Sequence, residues 1–353
     1  MEIWYNDDVE IIMKSIYGMS LKDLEEYFLS HNDKKFRATQ IYDWLYRKNV
    51  TSFDDMTNLK KDVIELLKND FYLRTLELKK VERDTLVNKY LFYLQDGEKI
   101  EAVLMRHDYG NSICISTQVG CNMGCKFCES GRLKKVRNLT AGEMTEQILQ
   151  VQEDIGDRVS HVVLMGIGEP FDNYDEVTKF IEIINHDLGL AIGARHITVS
   201  TCGLIPKIKE FMNFPYQVNL AISLHAPTDE LRRQIMPVAN AYPLKDLMQT
   251  IREYIAKTNR RVTFEYILLQ GINDSKECAE SLAKLVNGMN CYINLIPYNE
   301  TENIGYKRSK EETIREFYDI LKKNHTSVTK RKEFGSKISA ACGQLRSKKE
   351  MEE

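Results

Sequence analysis

The apolar residues near the amino terminus recur at helical spacing. Leu21, Leu24 and Phe28 follow Ser20-Leu-Lys-Asp23, a segment with the form of a capping box. Two further stripes share this spacing, one formed by Ile41, Trp44 and Leu45 and the other by Val63, Leu66 and Leu67. These patterns predict a small helical domain over residues 1–75.

Residues 76–110 change to the alternation of β-strands, as in Tyr90-Leu-Phe-Tyr-Leu, with a turn at Asp96-Gly97. We interpret this stretch as a β-rich connecting extension. From residue 111 onward, short β-rich apolar runs alternate with helical stretches such as Glu143–Val151. The runs are Ile113–Ser116, His161–Met165, Ile197–Ser200, Val218–Leu224, Val262–Leu269 and Tyr292–Ile296.

Strands that alternate with helices indicate an α/β fold with a parallel sheet. We predict a partial (β/α)6 barrel over residues 111–345, because that version of the sheet places the carboxyl end of every strand around one cavity. The charged residues 346–353 are predicted to be a frayed tail.

Length, composition and charge narrow the class of protein. A chain of 353 residues accommodates one large α/β domain and a small appendage. Eight cysteines, no secretory signal and no apolar run near twenty residues predict a reducing, cytoplasmic setting without a membrane segment. The net charge of −3 argues weakly against nucleic acid. Cations nevertheless cluster at Arg132–Arg137, Lys330–Lys332 and Arg346–Lys349, either as ordinary solvated surface or as a phosphate-facing rim.

Three cysteines stand close together in Cys121-Asn-Met-Gly-Cys125-Lys-Phe-Cys128. Three thiolates on a 4Fe–4S cluster leave one iron without a protein ligand. That iron can chelate the amino and carboxylate groups of S-adenosylmethionine (SAM) and pass an electron into its sulfonium bond. A structural zinc site takes four ligands in two pairs. A zinc knuckle completed by a distant Cys or His, or three unrelated buried thiols, are therefore the alternatives.

Small and polar residues follow the ends of several predicted strands. Gly166-Ile-Gly168-Glu169-Pro170 could bring the backbone close to a ligand and offer a carboxylate to the ammonium group of SAM, or could be a plain strand-to-helix turn. Further polar positions at strand ends are Ser200–Gly203, Ser223–His225, Asn294 and Asn299. We expect these groups to converge on one mouth. His225 taken alone would more commonly be a core histidine.

Two more cysteines stand apart from the cluster motif. Cys114 lies on the first strand of the predicted barrel, and Cys342 lies in Ala340-Ala-Cys-Gly-Gln-Leu345. A nucleophilic thiol needs access and a lowered pKa, which cations such as Arg331 would favour. Either thiol alone could equally be a buried structural cysteine. Inert buried thiols are expected at Cys202, Cys278 and Cys291.

Taken together, these motifs resemble the radical SAM RNA adenine methyltransferases over almost the whole chain. The matching segments, in family order, are Lys35–Ala38, Cys114–Cys121, Cys121–Cys128, Arg137–Thr140, Gly166–Pro170, Ser223–Pro227, Asn294–Pro297 and Ala341–Leu345. The nearest members methylate C2 of an adenosine in 23S rRNA at the peptidyl-transferase centre, and of the adenosine 3′ of the anticodon in some tRNAs. A sister branch methylates C8 of the same ribosomal adenosine and confers antibiotic resistance.

The resemblance implies a role for each of several residues. Cys121, Cys125 and Cys128 hold one 4Fe–4S cluster. Cys342 takes a methyl group from a first SAM, and a 5′-deoxyadenosyl radical from a second SAM removes hydrogen from that S-methyl group. After the methylene radical has added to the ring, Cys114 resolves the adduct through a transient disulfide with Cys342. Glu101 is the implied proton acceptor. The implied SAM contacts are Gly168, Glu169, Ser200, Ser223, Leu224, His225 and Asn299.

The chain also departs from the family pattern. Glu129-Ser130 replaces a small Ala/Ser-Thr pair, while Lys337 and Ser339 stand where acidic residues are usual. These changes fall beside the reactive residues and bear on the identity of the RNA target. Pro170 favours the C2 branch, because the C8 branch tends to carry Ala there. The third alternative is a non-catalytic zinc or iron–sulfur RNA-binding protein, which would need neither Cys114 nor Cys342.

Partners follow from this interpretation. We expect 23S rRNA and tRNA as substrates, with the helical domain as an RNA-binding appendage. An external electron donor such as flavodoxin or ferredoxin is expected, and the enzyme itself is expected to be a monomer.

Overall fold

The computed structural model describes residues 13–331, 340 and 343–345 of the chain. The amino-terminal domain contains the helices α1 (Leu21–Ser30), α2 (Phe36–Tyr42) and α3 (Lys61–Asp70), and its short strands β1 (Lys14–Ser15) and β2 (Phe71–Tyr72) pair in parallel. The predicted capping box is present, since Ser20 Oγ accepts a hydrogen bond from the Asp23 amide and the Asp23 carboxylate accepts one from the Ser20 amide. Leu24, Phe28 and Ile41 are fully buried, as their spacing predicts.

The central sheet contains strands from both the extension and the barrel. The extension supplies β3 (Leu76–Arg83), β4 (Val87–Leu94) and β5 (Lys99–His107). The remaining strands are β6 (Gly110–Cys114), β9 (Val159–Leu164), β10 (Ile197–Thr201), β11 (Asn219–Ser223), β12 (Val262–Leu268), β13 (Cys291–Pro297) and β14 (Val328–Lys330). A separate antiparallel pair is formed by β7 (Gln118–Val119) and β8 (Arg137–Asn138).

The helices connect the barrel strands. They are α4 (Ala141–Ile155), α5 (Tyr174–Asn185), α6 (Ile205–Phe211), α7 (Asp229–Ile235), α8 (Leu244–Thr258), α9 (Lys276–Val286) and α10 (Glu311–Lys323). The ten-stranded sheet has the order β14-β13-β12-β11-β10-β9-β6-β5-β4-β3. Pairing is parallel from β6 to β14 and antiparallel from β3 to β6. Each crossover therefore joins neighbouring strands, which is the topology of a (β/α) barrel.

The six predicted barrel strands are confirmed, with small differences at their ends. The structure adds a seventh parallel strand, β14, whose three residues are too few for a recognisable pattern. The extension is also part of the barrel sheet, because β5 pairs directly with β6 and places Val103 opposite Cys114. No helix among the described residues is long and apolar enough to cross a membrane.

Register determines which side chains face the concave side of this sheet. Cys114 lies between Val103 on β5 and Val163 on β9. Farther round, Glu265 lies between Ser223 on β11 and Asn294 on β13. Because partners in a row point to the same face, these rows line one interior.

Candidate active site

One cavity gathers most of the predicted site residues. It opens to solvent and is bounded by strand ends, by the loop Cys121–Cys128 (here the cysteine loop) and by Ala340, Gly343 and Leu345. The predicted residues in its wall are Cys114, Cys121, Cys125, Cys128, Gly168, Glu169, Ser200, Ser223, His225 and Asn299. Leu224 is fully buried behind the wall. Cys342 lies outside the described residues, as do Lys337 and Ser339.

The cysteine loop is held mainly by backbone contacts. The Cys121 amide donates to the Leu133 carbonyl at 3.0 Å, and the Cys128 amide donates to the Cys125 carbonyl at 3.1 Å. Gly120 has φ +74°, and a Cβ there would lie 2.1 Å from the Lys134 carbonyl oxygen. Gly131 is similarly confined, because its Cβ would lie 2.6 Å from the Cys125 carbonyl oxygen. The loop therefore folds back tightly on the segment that follows it.

Burial keeps two of the three thiols of the cysteine loop protonated in the absence of a cation. It raises the pKa of Cys121 to about 12, and it raises that of Cys125 well above its ordinary value, with further increases from the neighbouring sulfurs. A metal ligand must be deprotonated, so a cationic group bound at the loop would be needed to hold these side chains as thiolates. Among the described residues, no three Cys, His, Asp or Glu side chains converge tightly enough to hold a single metal ion.

The two glycines of the Gly166–Pro170 loop lie close to another part of the chain. A Cβ on Gly166 would lie 2.5 Å from the Ile115 carbonyl oxygen, and one on Gly168 would lie 2.7 Å from the Gln118 Cβ. The loop therefore packs against the backbone and side chains of residues 115–118. Both glycines also line the cavity, where their approach to a ligand stays a prediction. Gly168 has φ +110°, a further reason for glycine at that position.

Glu169 is presented to the cavity by this loop. Its Oε1 accepts from the Phe171 amide at 3.0 Å, and its Oε2 accepts from the Cys202 amide at 2.8 Å. Burial raises the pKa of the carboxyl, and the hydrogen bonds from Cys202 and Phe171 offset only part of that rise. The Thr201 hydroxyl lowers it further through a side-chain hydrogen bond, and an ammonium group in the cavity would also stabilise the ionised form.

His225 is fixed in one tautomer. Its Nδ1 accepts from the Ile267 amide at 3.0 Å, which leaves the ring proton on Nε2. Burial, followed by the charge of Arg232, lowers the pKa of the ring to about 3. The imidazole packs edge-on against Phe127 of the cysteine loop, with 4.8 Å between ring centres. His225 is therefore a neutral hydrogen-bonding group that links the end of β11 to the cysteine loop.

Glu101 lies on β5, two residues before Val103 and on the same face. Its side chain is almost fully buried, and its Oε1 lies 4.0 Å from Nζ of Lys89, whose side chain is only 2% exposed. The same Nζ lies 3.1 Å from the carboxylate of Glu82. Ser116 Oγ donates to the Glu101 carbonyl oxygen at 2.6 Å. Lys89 on β4 thus links the buried Glu101 on β5 with the partly exposed Glu82 on β3.

The carboxyl-terminal segment approaches the cysteine loop. The Glu129 amide donates to the Gly343 carbonyl at 2.9 Å. Cys114 faces the same cavity from β6. Ala340 and Leu345 belong to the apolar cluster against which Cys114 packs. The described residues on either side of Cys342 therefore line the same cavity as Cys114.

Sequence reasoning missed two buried charged groups. Glu265 points into the cavity from β12 and accepts from Asn294 Nδ2 at 2.8 Å. Arg232 on α7 is fully buried, and its Nη2 donates to the Cys202 carbonyl at 2.6 Å. The single glutamate within Val-Thr-Phe-Glu-Tyr-Ile-Leu could have indicated a functional residue, because a charged side chain inside a buried strand requires a structural or functional explanation. Arg232 had no comparable signal, because Asp229-Glu-Leu-Arg reads as a solvated helix.

The basic run after the cysteine loop is largely neutralised within the protein. Arg132 contacts Glu129 at 3.2 Å, Lys135 contacts Asp172 at 2.8 Å, and Arg137 contacts Glu143 at 2.8 Å. These cations hold the chain around the cysteine loop, which reduces their availability for phosphate. Glu129, one of the departures from the family pattern, is buried beneath Arg132.

Comparisons with known proteins agree with this site. Residues 115–284 match the radical SAM superfamily, and residues 14–73 match the ribosomal RNA large subunit methyltransferase N-terminal domain. A probable dual-specificity RNA methyltransferase RlmN from Listeria monocytogenes is 56% identical, covering 95% of this chain and 94% of that protein. Its counterpart from Streptococcus thermophilus is 55% identical, covering 97% and 90%.

Among solved structures, the crystal structure of a radical SAM methyltransferase from Sphaerobacter thermophilus is similar over nearly the whole chain. It has a TM-score of 0.91 and 40% identity, and the match covers 95% of this chain and 100% of that one.

Proposed function

The chain belongs to the RlmN-type radical SAM RNA methyltransferases, and from that premise we propose that it methylates C2 of an adenosine in 23S rRNA and in some tRNAs. The observation that carries the proposal is the shared cavity. It joins the cysteine loop, the strand-end polar residues, Cys114 and the described residues on either side of Cys342.

Membership of the superfamily implies a 4Fe–4S cluster and SAM. We assign the cluster to Cys121, Cys125 and Cys128, where it would supply the electron that cleaves SAM to a 5′-deoxyadenosyl radical. Glu169, Ser200, Ser223, His225 and Asn299 would bind and orient SAM from the strand ends, and Gly168 would leave room beside them. Leu224 would shape that wall from behind, since its amide donates to the Glu265 carbonyl at 3.1 Å.

The two isolated thiols and Glu101 would carry out the steps on RNA. Adenine C2 has no usable lone pair, so a direct polar attack on a SAM methyl group is not available. In our proposal Cys342 takes a methyl group from one SAM, leaving S-adenosylhomocysteine, and that methyl carbon is the one joined to C2. A 5′-deoxyadenosyl radical from a second SAM would remove one hydrogen atom from the S-methyl group, and the resulting methylene radical would add to C2. Loss of one electron to the external electron carrier and of the ring proton to Glu101 would restore the aromatic ring. The Cys114 thiolate would then attack the Cys342 sulfur, the electron pair of the broken sulfur–carbon bond would pass to the new carbon, which takes up a proton, and an external thiol would reduce the disulfide.

The partners complete the proposal. The amino-terminal domain would bind RNA alongside the barrel, and a flavodoxin or ferredoxin would reduce the cluster. We propose a monomer that works in the cytoplasm, where ribosomal and transfer RNA are modified.

Product analysis tests the assigned carbon. Anaerobically reconstituted protein, SAM and a reductant should convert adenosine in 23S rRNA and tRNA fragments to 2-methyladenosine, which chromatography of nuclease digests separates from 8-methyladenosine. Pro170, which is buried at the start of the turn after Glu169, is the residue that favours this product. A dominant 8-methyl product would overturn the C2 assignment.

A further inference from the structure

At the amino-terminal ends of the parallel strands, four aromatic and imidazole rings contact one another in series. His107 stacks on Tyr109 with 4.6 Å between ring centres and an interplanar angle of 9°. Tyr109 meets His161 edge-on at 5.0 Å, and His161 stacks on His196 at 4.3 Å and 18°. These four residues, here called the ring stack, come from the end of β5, the β5–β6 turn, β9 and the turn before β10.

The ring stack faces the same interior as the cavity. His161 pairs with Ser112, which pairs with Met105, a cavity residue. It lies two positions from Val163, the partner of Cys114, so the stack begins roughly 7 Å below that row at 3.3 Å per residue. Arg331, in the cavity wall, is within electrostatic reach of both Tyr109 and Glu265. The cavity and the ring stack therefore share one face of the sheet.

Three arginines lie beyond the ring stack, along the same amino-terminal edge of the parallel strands. Arg195 precedes His196, and its carbonyl accepts from Asn219 Nδ2 at 2.7 Å. Asn219 Oδ1 in turn accepts from Arg260 Nη2 at 3.3 Å. Arg261 lies over the ring of Tyr292, 5.1 Å from its centre. Arg195, Arg260 and Arg261, here called the arginine arc, place positive charge along the starts of β10 to β13, opposed near Tyr109 by the exposed carboxylate of Asp108.

Neither a position in the hydrophobic core nor a metal site explains these residues. Tyr109 is 65% exposed, the highest value among the exposed large apolar and aromatic side chains of the described residues, so it is not part of a core. His161 and His196 stack on each other and His107 stacks on Tyr109, and no such group converges on a metal position within the described part of the chain. Exposed rings next to unburied guanidinium groups are instead the composition of single-stranded nucleic-acid sites, where bases stack and phosphates pair with cations.

We propose that the ring stack and the arginine arc bind the RNA strand next to the target adenosine, with one base stacked on Tyr109 and the phosphates following the arc. This inference rests on the proposed RNA methyltransferase function and deepens it. Stacked bases repeat about every 3.4 Å along a strand. The base on Tyr109 would therefore lie about two nucleotides from the adenine in the cavity.

The test measures RNA binding by the holoenzyme, using fluorescence anisotropy with a hairpin RNA that carries an unpaired adenosine in its loop. Tyr109→Ala should weaken binding on the order of tenfold, because one stacked base is lost, whereas Tyr109→Phe should bind as the parent does. Arg261→Ala should weaken binding and reduce the salt dependence by about one phosphate contact. Arg315→Ala removes an equal charge from a side chain 85% exposed on α10 and should have no effect.

A second arm locates the stacked base. Abasic substitution at each loop position near the adenosine should identify one position, about two nucleotides away, at which Tyr109→Ala causes no further loss. SAM cleavage without RNA should be unchanged in every variant. Parental affinity in Tyr109→Ala, or a loss in Arg315→Ala equal to that in Arg261→Ala, would overturn the proposal. If the parent enzyme methylated RNA normally in that case, the proposed function would stand and only this surface would be wrong.

Discussion

The cysteine-loop wall of the cavity and the opposite wall, to which β5, β12 and β13 contribute, are held by different forces. The cysteine loop is positioned by backbone hydrogen bonds and by glycines that allow close approach, within about fifteen residues of chain. The opposite wall depends on polar and charged side chains that meet only in the folded sheet, since Asn294 donates to Glu265 and Lys89 on β4 lies 4.0 Å from Glu101 on β5. The first wall is a local motif, whereas the second is a product of tertiary structure.

The largest effect should follow from a change to the cysteine loop. Replacing Cys121, Cys125 or Cys128 with Ala should abolish both the cluster and SAM cleavage, because two thiolates leave a second iron without a protein ligand. Iron and sulfide content and the yield of 5′-deoxyadenosine after anaerobic purification measure this. Backbone bonds should keep the loop folded, so the thermal midpoint of the apo protein should change little. Stoichiometric zinc without iron in the parent protein would contradict the cluster assignment.

On the opposite wall, Lys89→Met should reduce the free energy of unfolding by about 3–5 kcal/mol, because it removes a buried ammonium group that lies 3.1 Å from the carboxylate of Glu82 and 4.0 Å from that of Glu101. Urea unfolding of the apo protein at neutral pH measures the loss. The matched control is Lys89→Met combined with Glu101→Gln, which should recover part of the lost stability because the buried side chain at position 101 is then neutral. If the single variant were as stable as the parent, the ion pairs of Lys89 would not hold this wall.

A smaller effect is expected where α4 begins, next to the cysteine loop. Thr140 Oγ1 accepts from the Glu143 amide at 3.1 Å in a capping box. Thr140→Ala should therefore cost about 1 kcal/mol of unfolding free energy, whereas Thr140→Ser keeps the hydroxyl and should cost much less. Equal losses in the two variants would show that the cap does not stabilise this wall.

The smallest effect should be a change in pH dependence at Glu265. Burial raises the pKa of this carboxyl, and Arg331 and Asn294 offset only part of the rise. A glutamate with a raised folded-state pKa stabilises fully below its unfolded value of about 4.3, and this stability is lost as pH rises through the folded value. Glu265→Gln should therefore lose less stability than the parent between pH 4 and 8 in urea unfolding. Parallel curves for the two proteins would contradict this.

The sequence predicted the cysteine-loop wall better than the opposite wall for a physical reason. A motif such as Gly166–Pro170 indicates its chemistry within five consecutive residues, and the strand pattern predicted that such motifs lie at one end of the sheet. The approach of Lys89 to Glu101 depends on the register between β4 and β5, which no local pattern specifies. Arg232 was missed because only the fold shows that its helix lies beneath the ends of β10 and β11.

The role of the glycines shows a second limit. Gly166 and Gly168 were correctly recognised as positions of close backbone approach, but their partner is the segment 115–118. A sequence pattern can show that the backbone at a glycine must lie close to another group without showing which group that is. Cys202 illustrates the same limit. Its thiol is buried, as expected, and burial raises its pKa well above its ordinary value. The sequence pattern did not show that this residue also lines the cavity.

The account's central claim is that Cys114 and Cys342 act on one adenine, and a Cys114→Ala enzyme tests it most directly. Cys342 should still accept a methyl group and join it to the ring, but without Cys114 the bond between Cys342 and the RNA should persist. Denaturing gel electrophoresis should therefore show RNA linked to the protein, removable by nuclease and absent from Cys342→Ala. Normal turnover by the Cys114→Ala enzyme, with no RNA-linked protein, would contradict the two-thiol mechanism even if the cluster were present.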